Sequence, residues 1–198
     1  MIKKVENISA VILAAGKSER MGFPKALLRY NSSMTFIQKI ESEFVNFGCD
    51  SVILVVNALT KKQIEDKNLA FSEVTKIVVN PHPEWERFHS LWLGVKALDA
   101  GCSIFMNNID NPFISQDLLQ QLYMLRNDAD YIKPTINGRG GHPALLSGKV
   151  VSEVMSQTNT QQNLKVFLSG YHCLPMPVND ELVLTNINSR DDYKKYFG

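Results

Sequence analysis

The chain has 198 residues, a length that suits one α/β domain better than two. Hydrophobic residues make up 44% and charged residues 21%, values that are typical of a soluble globular protein. The formal net charge of +1 provides no global field for nucleic acid or an anionic membrane. No apolar run approaches the roughly 18 residues of a membrane span. We therefore expect a single domain over residues 1–198, with any anion site formed locally.

The cysteines and the start of the chain bear on the compartment. Cys49, Cys102 and Cys173 are far apart, lack CxxC spacing and lie in or beside apolar runs. This pattern indicates buried reduced thiols in a reducing, cytoplasmic compartment. Lys3 and Lys4 precede an apolar run that loosely resembles a signal peptide. The run is short and a charged stretch follows it, so a buried first strand is favoured.

In the first two thirds of the chain, short apolar runs alternate with longer amphipathic segments. The pattern predicts strands at 8–13, 51–56, 74–79, 102–106 and from 130, and helices at 36–47, 61–69, 90–98 and 117–125. This alternation predicts a three-layer α/β/α fold with a mostly parallel sheet and helices on both faces. Ligands of such sheets bind beyond the carboxyl ends of the strands, so the loops at 14–25, 80–89 and 107–114 are candidate site loops.

The last third is less regular. The sequence predicts a loop at 137–141, a short strand at 142–146, helices at 150–156 and 162–168, strand-like segments at 171–178 and 182–187, and a terminal helix at 191–196.

The loop after the first predicted strand combines small and basic residues. It contains Leu13, Ala14, Ala15, Gly16, Lys17, Ser18, Arg20, Gly22 and Lys25. Small residues let a ligand approach the backbone, and the cationic side chains suit a triphosphate. A Walker A loop is excluded because its first glycine would fall at Val11, inside the strand, and no GxGxxG motif is present. From this chemistry alone, the loop could also be a simple turn of the chain whose basic side chains are solvated and bind no ligand.

The same loop resembles the LAAGxSxRMGxxK signature of the GT-A-like nucleotidyltransferases. It is most similar to the molybdenum-cofactor cytidylyl- and guanylyltransferases and their MobA-like relatives. The resemblance implies a GT-A-like, Rossmann-like fold. It also implies that the backbone of residues 13–16 contacts the base and ribose, with Lys17 and Ser18 in the same nucleotide-binding loop. Arg20 and Lys25 would bind the phosphates, and such transfer depends mainly on positioning and charge neutralisation.

Asp110 follows the fourth predicted strand in an Asp-x-Pro turn. Magnesium prefers oxygen ligands of this kind, although an ordinary Asx turn gives the same pattern. The family carries Asp-x-Pro at this point, which implies Asp110 as a Mg²⁺ ligand. A second family segment near the C-terminus matches Asn186 and Asn188, and implies Asn188 as a second ligand with Asn186 as the alternative. Asn188 or Ser189 could equally cap the terminal helix.

Two further loops carry family-like motifs. Asn80 to Ser90 resembles a stretch that lies beside the nucleotide base, in which Ser90 would begin the next helix and present backbone donors. Glu86 replaces the family's glycine. Arg139 and His142 belong to a Gly-x-x-Gly-His-Pro segment of the cytidylyltransferase-like branch, which implies that both face the acceptor. Arg139 suits an acceptor phosphate, while His142 could instead set the loop through its backbone hydrogen bonds.

Several residues depart from the family or have no assigned role. Asn107, Asn108 and Asn111 replace residues that are usually different in relatives; we expect them to leave the metal role intact but to reshape the acceptor side. His89 is interpreted as a polar residue at the rim of the site. Trp85 and Phe88 could stack on a base, although packing is favoured.

The resemblance implies an enzyme that uses Mg²⁺ to transfer NMP from CTP or GTP to a small phosphorylated acceptor, for example of the molybdopterin type, with release of pyrophosphate. One alternative is a nucleotidyltransferase for a sugar phosphate or another small metabolite. A second is a nucleotide-binding module with weakened catalysis, which Asn186, Asn188 and Glu86 keep open. We expect no nucleic-acid or membrane partner, and either a monomer or a homodimer.

Overall fold

The computed structural model describes residues 7–16, 21–98 and 101–198. Within these ranges the strands are β1 (Ile8–Ala14), β2 (Val52–Val56), β3 (Thr75–Val79), β4 (Ser103–Asn108), β5 (Tyr131–Ile136), β6 (Arg139–Gly140), β7 (Ala144–Leu146) and β8 (Cys173–Pro177). The helices are α1 (Phe36–Phe47), α2 (Ala58–Asp66), α3 (Arg87–Lys96), α4 (Gln116–Met124), α5 (Gly148–Ser156), α6 (Leu164–Leu168) and α7 (Arg190–Phe197). Short 3₁₀ helices occupy Lys25–Leu27 and Glu181–Leu184.

All eight strands form one sheet in the order β3-β2-β1-β4-β7-β5-β6, and β8 also pairs with β5. β1 lies parallel to β2 and β4, β2 is parallel to β3, and β5 is parallel to β8. The predicted mostly parallel α/β fold is therefore confirmed. The sequence did not predict that β7 lies antiparallel between β4 and β5. Its reversed direction brings the residues that precede β7 to the carboxyl end of β4.

The sheet separates two apolar cores, as three layers require. Along β1, Ile8, Ala10 and Ile12 pack in the core that contains α1 and α4. Val11 and Leu13 belong to the opposite core with α3, α5 and α6. All seven residues of β1 are buried, so the first apolar run is the buried strand that the sequence predicted. Among the described residues, no helix is both long and apolar enough to cross a membrane.

Local sequence signals set the ends of α1. Thr35 and Gln38 form a capping box at its start, and Gly48 ends it in the left-handed conformation with φ of 94°. The predicted helix at 36–47 is therefore confirmed at both ends.

Cys49 and Cys102 are buried, as predicted, and burial raises the pKa of Cys49. Cys173 is only half-buried, so the prediction of a fully buried thiol is wrong there.

Three predictions about local structure are wrong. The strand predicted at 182–187 is a 3₁₀ helix over Glu181–Leu184, begun by Asp180, whose side chain accepts a hydrogen bond from the Leu182 N–H. The helix predicted to start at Ser90 starts at Arg87 with Glu86 as its N-cap, so Ser90 is not a cap. Part of the loop predicted at 137–141 is strand β6, which pairs with β5 through a tight turn. In each case tertiary or turn contacts outweigh the local pattern.

A close approach at Gly94 gives a test of the packing of α3 against the sheet. A Cβ atom there would lie 2.5 Å from Val11 Cγ1 and 3.1 Å from Val55 Cγ2. Both valines are fully buried, so they have no room to move away. We expect Gly94→Ala to lower the free energy of unfolding by about 1–3 kcal/mol, measured by urea denaturation. Gly170→Ala is the control, because its Cβ would make only one ordinary contact, at 3.6 Å. An equal effect of both changes would contradict this packing.

Candidate active site

A cleft of about 550 Å³ opens at the carboxyl ends of β1 and β4. Its walls come from all three loops that the sequence singled out and from the segment before α7. The lining residues are Leu13, Ala15, Gly16, Met21, Lys25, Pro83, Glu84, Arg87, Ser90, Asn108, Ile109, Asp110 and Asn188. The volume lies within the usual range for small-molecule sites.

The end of β1 forms one side of the cleft. Leu13, Ala15 and Gly16 line it, whereas Ala14 packs into the core on the α1 side. Asn57 holds this turn, because its amide nitrogen lies 3.0 Å from the Ala15 carbonyl oxygen and 3.3 Å from that of Gly16. Its amide oxygen at the same time accepts a hydrogen bond from the Thr60 N–H and caps α2. The sequence signal for this role was an asparagine placed directly between a buried strand and a helix. Three predicted site residues, Lys17, Ser18 and Arg20, lie outside the described residues.

Lys25, Asp110 and Asn188 come together in the cleft from distant parts of the chain. Lys25 Nζ lies 2.6 Å from Asn188 Oδ1 and 3.6 Å from Asp110 Oδ2. Asp110 Oδ1 is buried and has no hydrogen-bond partner within the described ranges. A buried carboxylate oxygen without a partner is costly, and a cation would satisfy it. The cleft thus holds a cationic group, a carboxylate and an amide oxygen at one point.

The two roles considered for Asn188 fall to different residues. Ser189 is the N-cap of α7, and Asp192 completes the capping box. The Asp192 carboxylate accepts hydrogen bonds from the N–H groups of Asn188 and Ser189, and the pKa of Asp192 is lowered chiefly by the bond from Asn188. The side chain of Asn188 is therefore left to face the cleft. Asn186 is exposed and is not among the lining residues.

Asn107 and Asn111 hold the turn around Asp110. The Asn111 amide nitrogen lies 2.8–3.3 Å from the carbonyl oxygens of Leu182, Val183 and Thr185. Asn107 donates to the carbonyl oxygens of Asn108 and Asn111 at 2.8 and 3.0 Å. We had expected these residues to reshape the acceptor side, but both side chains are fully buried and support the loop without lining the cleft. Only Asn108 of the three asparagines lines the cleft.

His142 contacts the cleft residue Asn108 because β7 runs antiparallel to β4, but His142 is not itself among the residues that line the cleft. Its Nε2 lies 2.9 Å from the Asn108 amide nitrogen, so Nε2 accepts and the ring proton belongs on Nδ1. Nδ1 is buried and has no hydrogen-bond partner among the described residues. Burial lowers the pKa of His142 to about 4, assisted by the charge of Arg87 and opposed by that of Asp110. The imidazole is therefore neutral at pH 7.

Arg139 does not lie in the cleft. It lines a separate concavity of about 500 Å³ with Asn137, Glu181 and Tyr196. The structure thus separates Arg139 from His142, although three positions part them in sequence. The basic residue that sequence reasoning missed is Arg87, which lines the cleft from the first turn of α3. Its position just after the loop that follows β3 was the available signal.

The loop from Asn80 to Ser90 is braced from within. Asn80 is buried, its amide nitrogen lies 3.0 Å from Ser90 Oγ, and its oxygen accepts from the His82 N–H at 2.7 Å. Asn80 therefore shapes the loop without lining the cleft, whereas Ser90 does line it from the fourth residue of α3.

The bonds of Asn111 lead to a stability prediction. We expect Asn111→Ala to lower the free energy of unfolding by about 1–3 kcal/mol, because buried carbonyl groups lose their donor. Hydrogen exchange at residues 182–188 should accelerate as well. Asn46→Ala on the exposed side of α1 is the control and should change stability by less than about 0.5 kcal/mol. Unchanged exchange at 182–188 in Asn111→Ala would refute the role of Asn111.

His142 predicts a pH dependence of stability. Its pKa is about 4 in the folded protein against an ordinary value of 6.5, so the unfolded chain binds more protons between these values. Stability is therefore full above pH 6.5 and is lost as the pH falls towards 4. The difference in pKa corresponds to about 3 kcal/mol at most. Urea denaturation of His142→Gln should show a shallower loss over this window, whereas the exposed control His172→Gln should keep the wild-type profile. Identical profiles for all three proteins would contradict a buried neutral His142.

Comparison with known proteins agrees with this geometry. A model of the MobA-like NTP transferase domain matches residues 10–174. The molybdenum cofactor cytidylyltransferase of Escherichia coli (strain K12) is 28% identical over 186 residues, which cover 94% of this chain and 93% of that protein. A probable molybdenum cofactor guanylyltransferase of Natranaerobius thermophilus is 28% identical over 207 residues, 98% of each chain.

A solved structure shows the same fold. The crystal structure of Rv0371C in complex with manganese, from Mycobacterium tuberculosis H37Rv, has a TM-score of 0.74 and 19% identity to this chain. The match covers 96% of this chain and 97% of that one. Because the family model spans most of the sequence, the protein belongs to the MobA-like NTP transferase family and is a nucleotidyltransferase.

Proposed function

We propose that this enzyme transfers NMP from CTP or GTP to a small phosphorylated acceptor of the molybdopterin type, with Mg²⁺ as cofactor and pyrophosphate as leaving group. The observation that carries the proposal is the meeting of Lys25, Asp110 and Asn188 in one cleft beside the turn at the end of β1. The two relatives described above are named as a molybdenum cofactor cytidylyltransferase and a probable molybdenum cofactor guanylyltransferase. They support the acceptor class and leave the two bases as equal candidates.

The donor nucleotide would lie along the end of β1. Leu13, Ala15 and Gly16 would offer backbone groups to the base and ribose. Among the described residues, a Cβ atom added at Gly16 would meet nothing within 4 Å, which leaves room for a ligand. Lys25 and Arg87 supply positive charge on the walls of the cleft. Their charge would stabilise the negative charge that develops on the phosphates and on departing pyrophosphate.

The oxygen atoms in the cleft fit a magnesium ion that shares its coordination with substrate. Asp110 would hold the ion through its unpartnered Oδ1, and the Asn188 amide oxygen would supply a second, weaker ligand. No cluster of three or more His, Cys, Asp or Glu side chains suited to a metal occurs in the described part of the chain. One carboxylate together with substrate phosphates is a usual arrangement for Mg²⁺. The ion would supply Lewis-acid charge stabilisation when bound.

The acceptor side needs positioning and does not need a general base. An ionised phosphate oxygen is already a nucleophile, so it attacks the α-phosphorus and the bond to pyrophosphate breaks. Asn108 would contact that acceptor from the wall of the cleft, and the neutral His142 behind it would hold the Asn108 side chain in place. Arg139 would contact only an acceptor that extends into the second concavity.

The test is pyrophosphate release with each NTP, Mg²⁺ and a panel of phosphorylated acceptors. We expect Lys25→Ala and Asp110→Ala to lower turnover by about 100-fold or more. Lys25→Ala removes a positive charge at the phosphates, and Asp110→Ala removes the carboxylate that would hold the metal ion beside them. Their thermal unfolding should stay cooperative. Lys62→Ala is the matched control, because it removes an exposed lysine paired with Asp66 at 2.7 Å outside the cleft, and it should retain full activity.

Two outcomes would contradict the proposal. Full activity of Lys25→Ala or Asp110→Ala would remove these residues from the site. Tight nucleotide binding without turnover on any acceptor would instead indicate a nucleotide-binding module, and turnover only with sugar phosphates would replace the acceptor class.

A further inference from the structure

A second concave surface lies on the opposite side of the loop that separates β3 from α3. Pro83 and Glu84 line the active-site cleft, whereas His82 and Trp85 line this other surface, so the loop is a wall between the two. We call the second surface the aromatic groove. It has a volume of about 670 Å³ and lies between the wall loop, one face of α3 and the segment 155–160 after α5.

Four rings follow one another along the groove. His82 stacks on Trp85 with centroids 4.0 Å apart and planes 7° from parallel. Trp85 meets His89 edge to face at 4.6 Å, and His89 lies nearly parallel to Trp92 at 5.8 Å. The spacing of these residues, three, four and three positions, places them on one side of the wall loop and of α3. From the sequence, Trp85 was interpreted as a packing residue and His89 as a polar residue at the rim of the site. Neither interpretation explains why four rings form a continuous aromatic wall.

Two nitrogen atoms in this wall lack partners. His89 Nε2 and Trp92 Nε1 are both buried, and neither has a hydrogen-bond partner in the ranges that the structure describes. His89 is only 5% exposed, and its other nitrogen, Nδ1, lies 2.9 Å from Thr160 Oγ1. Burial and the neighbouring His82 lower the pKa of His89, so its ring is neutral at pH 7. Buried N–H groups without acceptors are costly, and a ligand with acceptor atoms would satisfy them.

The polarity of these atoms defines what the groove would bind. The indole nitrogen of Trp92 can only donate. The site proposed below uses the tautomer in which the Thr160 hydroxyl donates to Nδ1 of His89, because the ring proton is then on Nε2 and His89 also donates. Two donors beside aromatic rings match a planar ring that carries acceptor atoms on its edge, and ring faces favour stacking. Among the described lining residues, Lys96 is the one formally charged side chain, and it lies over the Trp92 ring at 5.7 Å.

We propose that the aromatic groove is a second ligand site, distinct from the active-site cleft, for an uncharged planar heteroaromatic ring with a ring carbonyl, the chemistry of a 6-oxopurine base or nucleoside. A triphosphate does not fit this site, because one lysine offers little compensation for its charge. The concave shape, closed by the wall loop on one side and the 155–160 segment on the other, favours a small ring over the flat face of a second copy. The proposal does not depend on the proposed function.

The experiment uses the chain's own fluorescence, because its only two tryptophans, Trp85 and Trp92, both line the groove. The full-length protein is titrated with inosine and with purine riboside, which lacks the ring carbonyl and the N1 proton of inosine. We expect saturable quenching by inosine and about tenfold weaker binding of purine riboside. Trp92→Phe keeps an aromatic ring but removes the indole N–H. This change should lower the affinity for inosine about tenfold without changing the rate of nucleotidyl transfer.

A cleft variant serves as the matched control. Gly16→Leu adds a side chain on the wall of the cleft, where a Cβ atom would meet none of the described residues within 4 Å, and it should leave inosine binding unchanged. Loss of inosine binding in Gly16→Leu would place the nucleoside in the cleft and overturn the proposal. Equal affinity of the wild-type protein for the two nucleosides would overturn the proposal as well, as would the absence of quenching by either at millimolar concentration. Both measurements use the wild-type protein, so they test the proposal even if Trp92→Phe does not fold. A dimer in sedimentation velocity that dissociates in Trp92→Ala would instead assign the groove to a second copy.

Discussion

The active-site cleft depends on the attachment of the chain's last segment to the turn that carries Asp110. The Ile187 N–H donates to the Asp110 carbonyl oxygen at 2.7 Å, and the side chain of Asn111 bonds the carbonyl groups just before it. These bonds place Asn188 against Lys25, a residue 163 positions earlier in the chain. Because all of the bonds are short and buried or half-buried, the cleft is assembled by the fold itself before any ligand binds.

Sheet topology supplies the other half of the site. Parallel strands β1 and β4 bring the turn at Gly16 and the turn at Asp110 to one edge, as the alternation of strands and helices predicted. The antiparallel insertion of β7 then carries His142 to that same edge, where it bonds Asn108. The loop after β1, the turn at Asp110 and the buried His142 thus converge from a sheet of mixed direction.

Features fixed by neighbours in sequence could be predicted, and features fixed by distant contacts could not. The ends of α1 were predictable because Thr35 and Gly48 act within one turn. The segment at 182–187 was predicted as a strand, since its short apolar run does not reveal that Asn111 binds its carbonyl groups. Likewise, sequence spacing could not show that Arg139 points to another concavity while Arg87 lines the cleft. Family resemblance identified Lys25 and Asp110, and the structure adds that they meet.

The most direct measurement of the central claim is a crystal structure with Mn²⁺ and an α,β-methylene analogue of CTP or GTP, in which anomalous scattering locates the metal. The account predicts one manganese ion bound to Asp110, with the base against residues 13–16 and Lys25 Nζ within hydrogen-bonding distance of a phosphate oxygen. A nucleotide bound elsewhere, with the contact between Lys25 and Asn188 unchanged and no metal at Asp110, would contradict it.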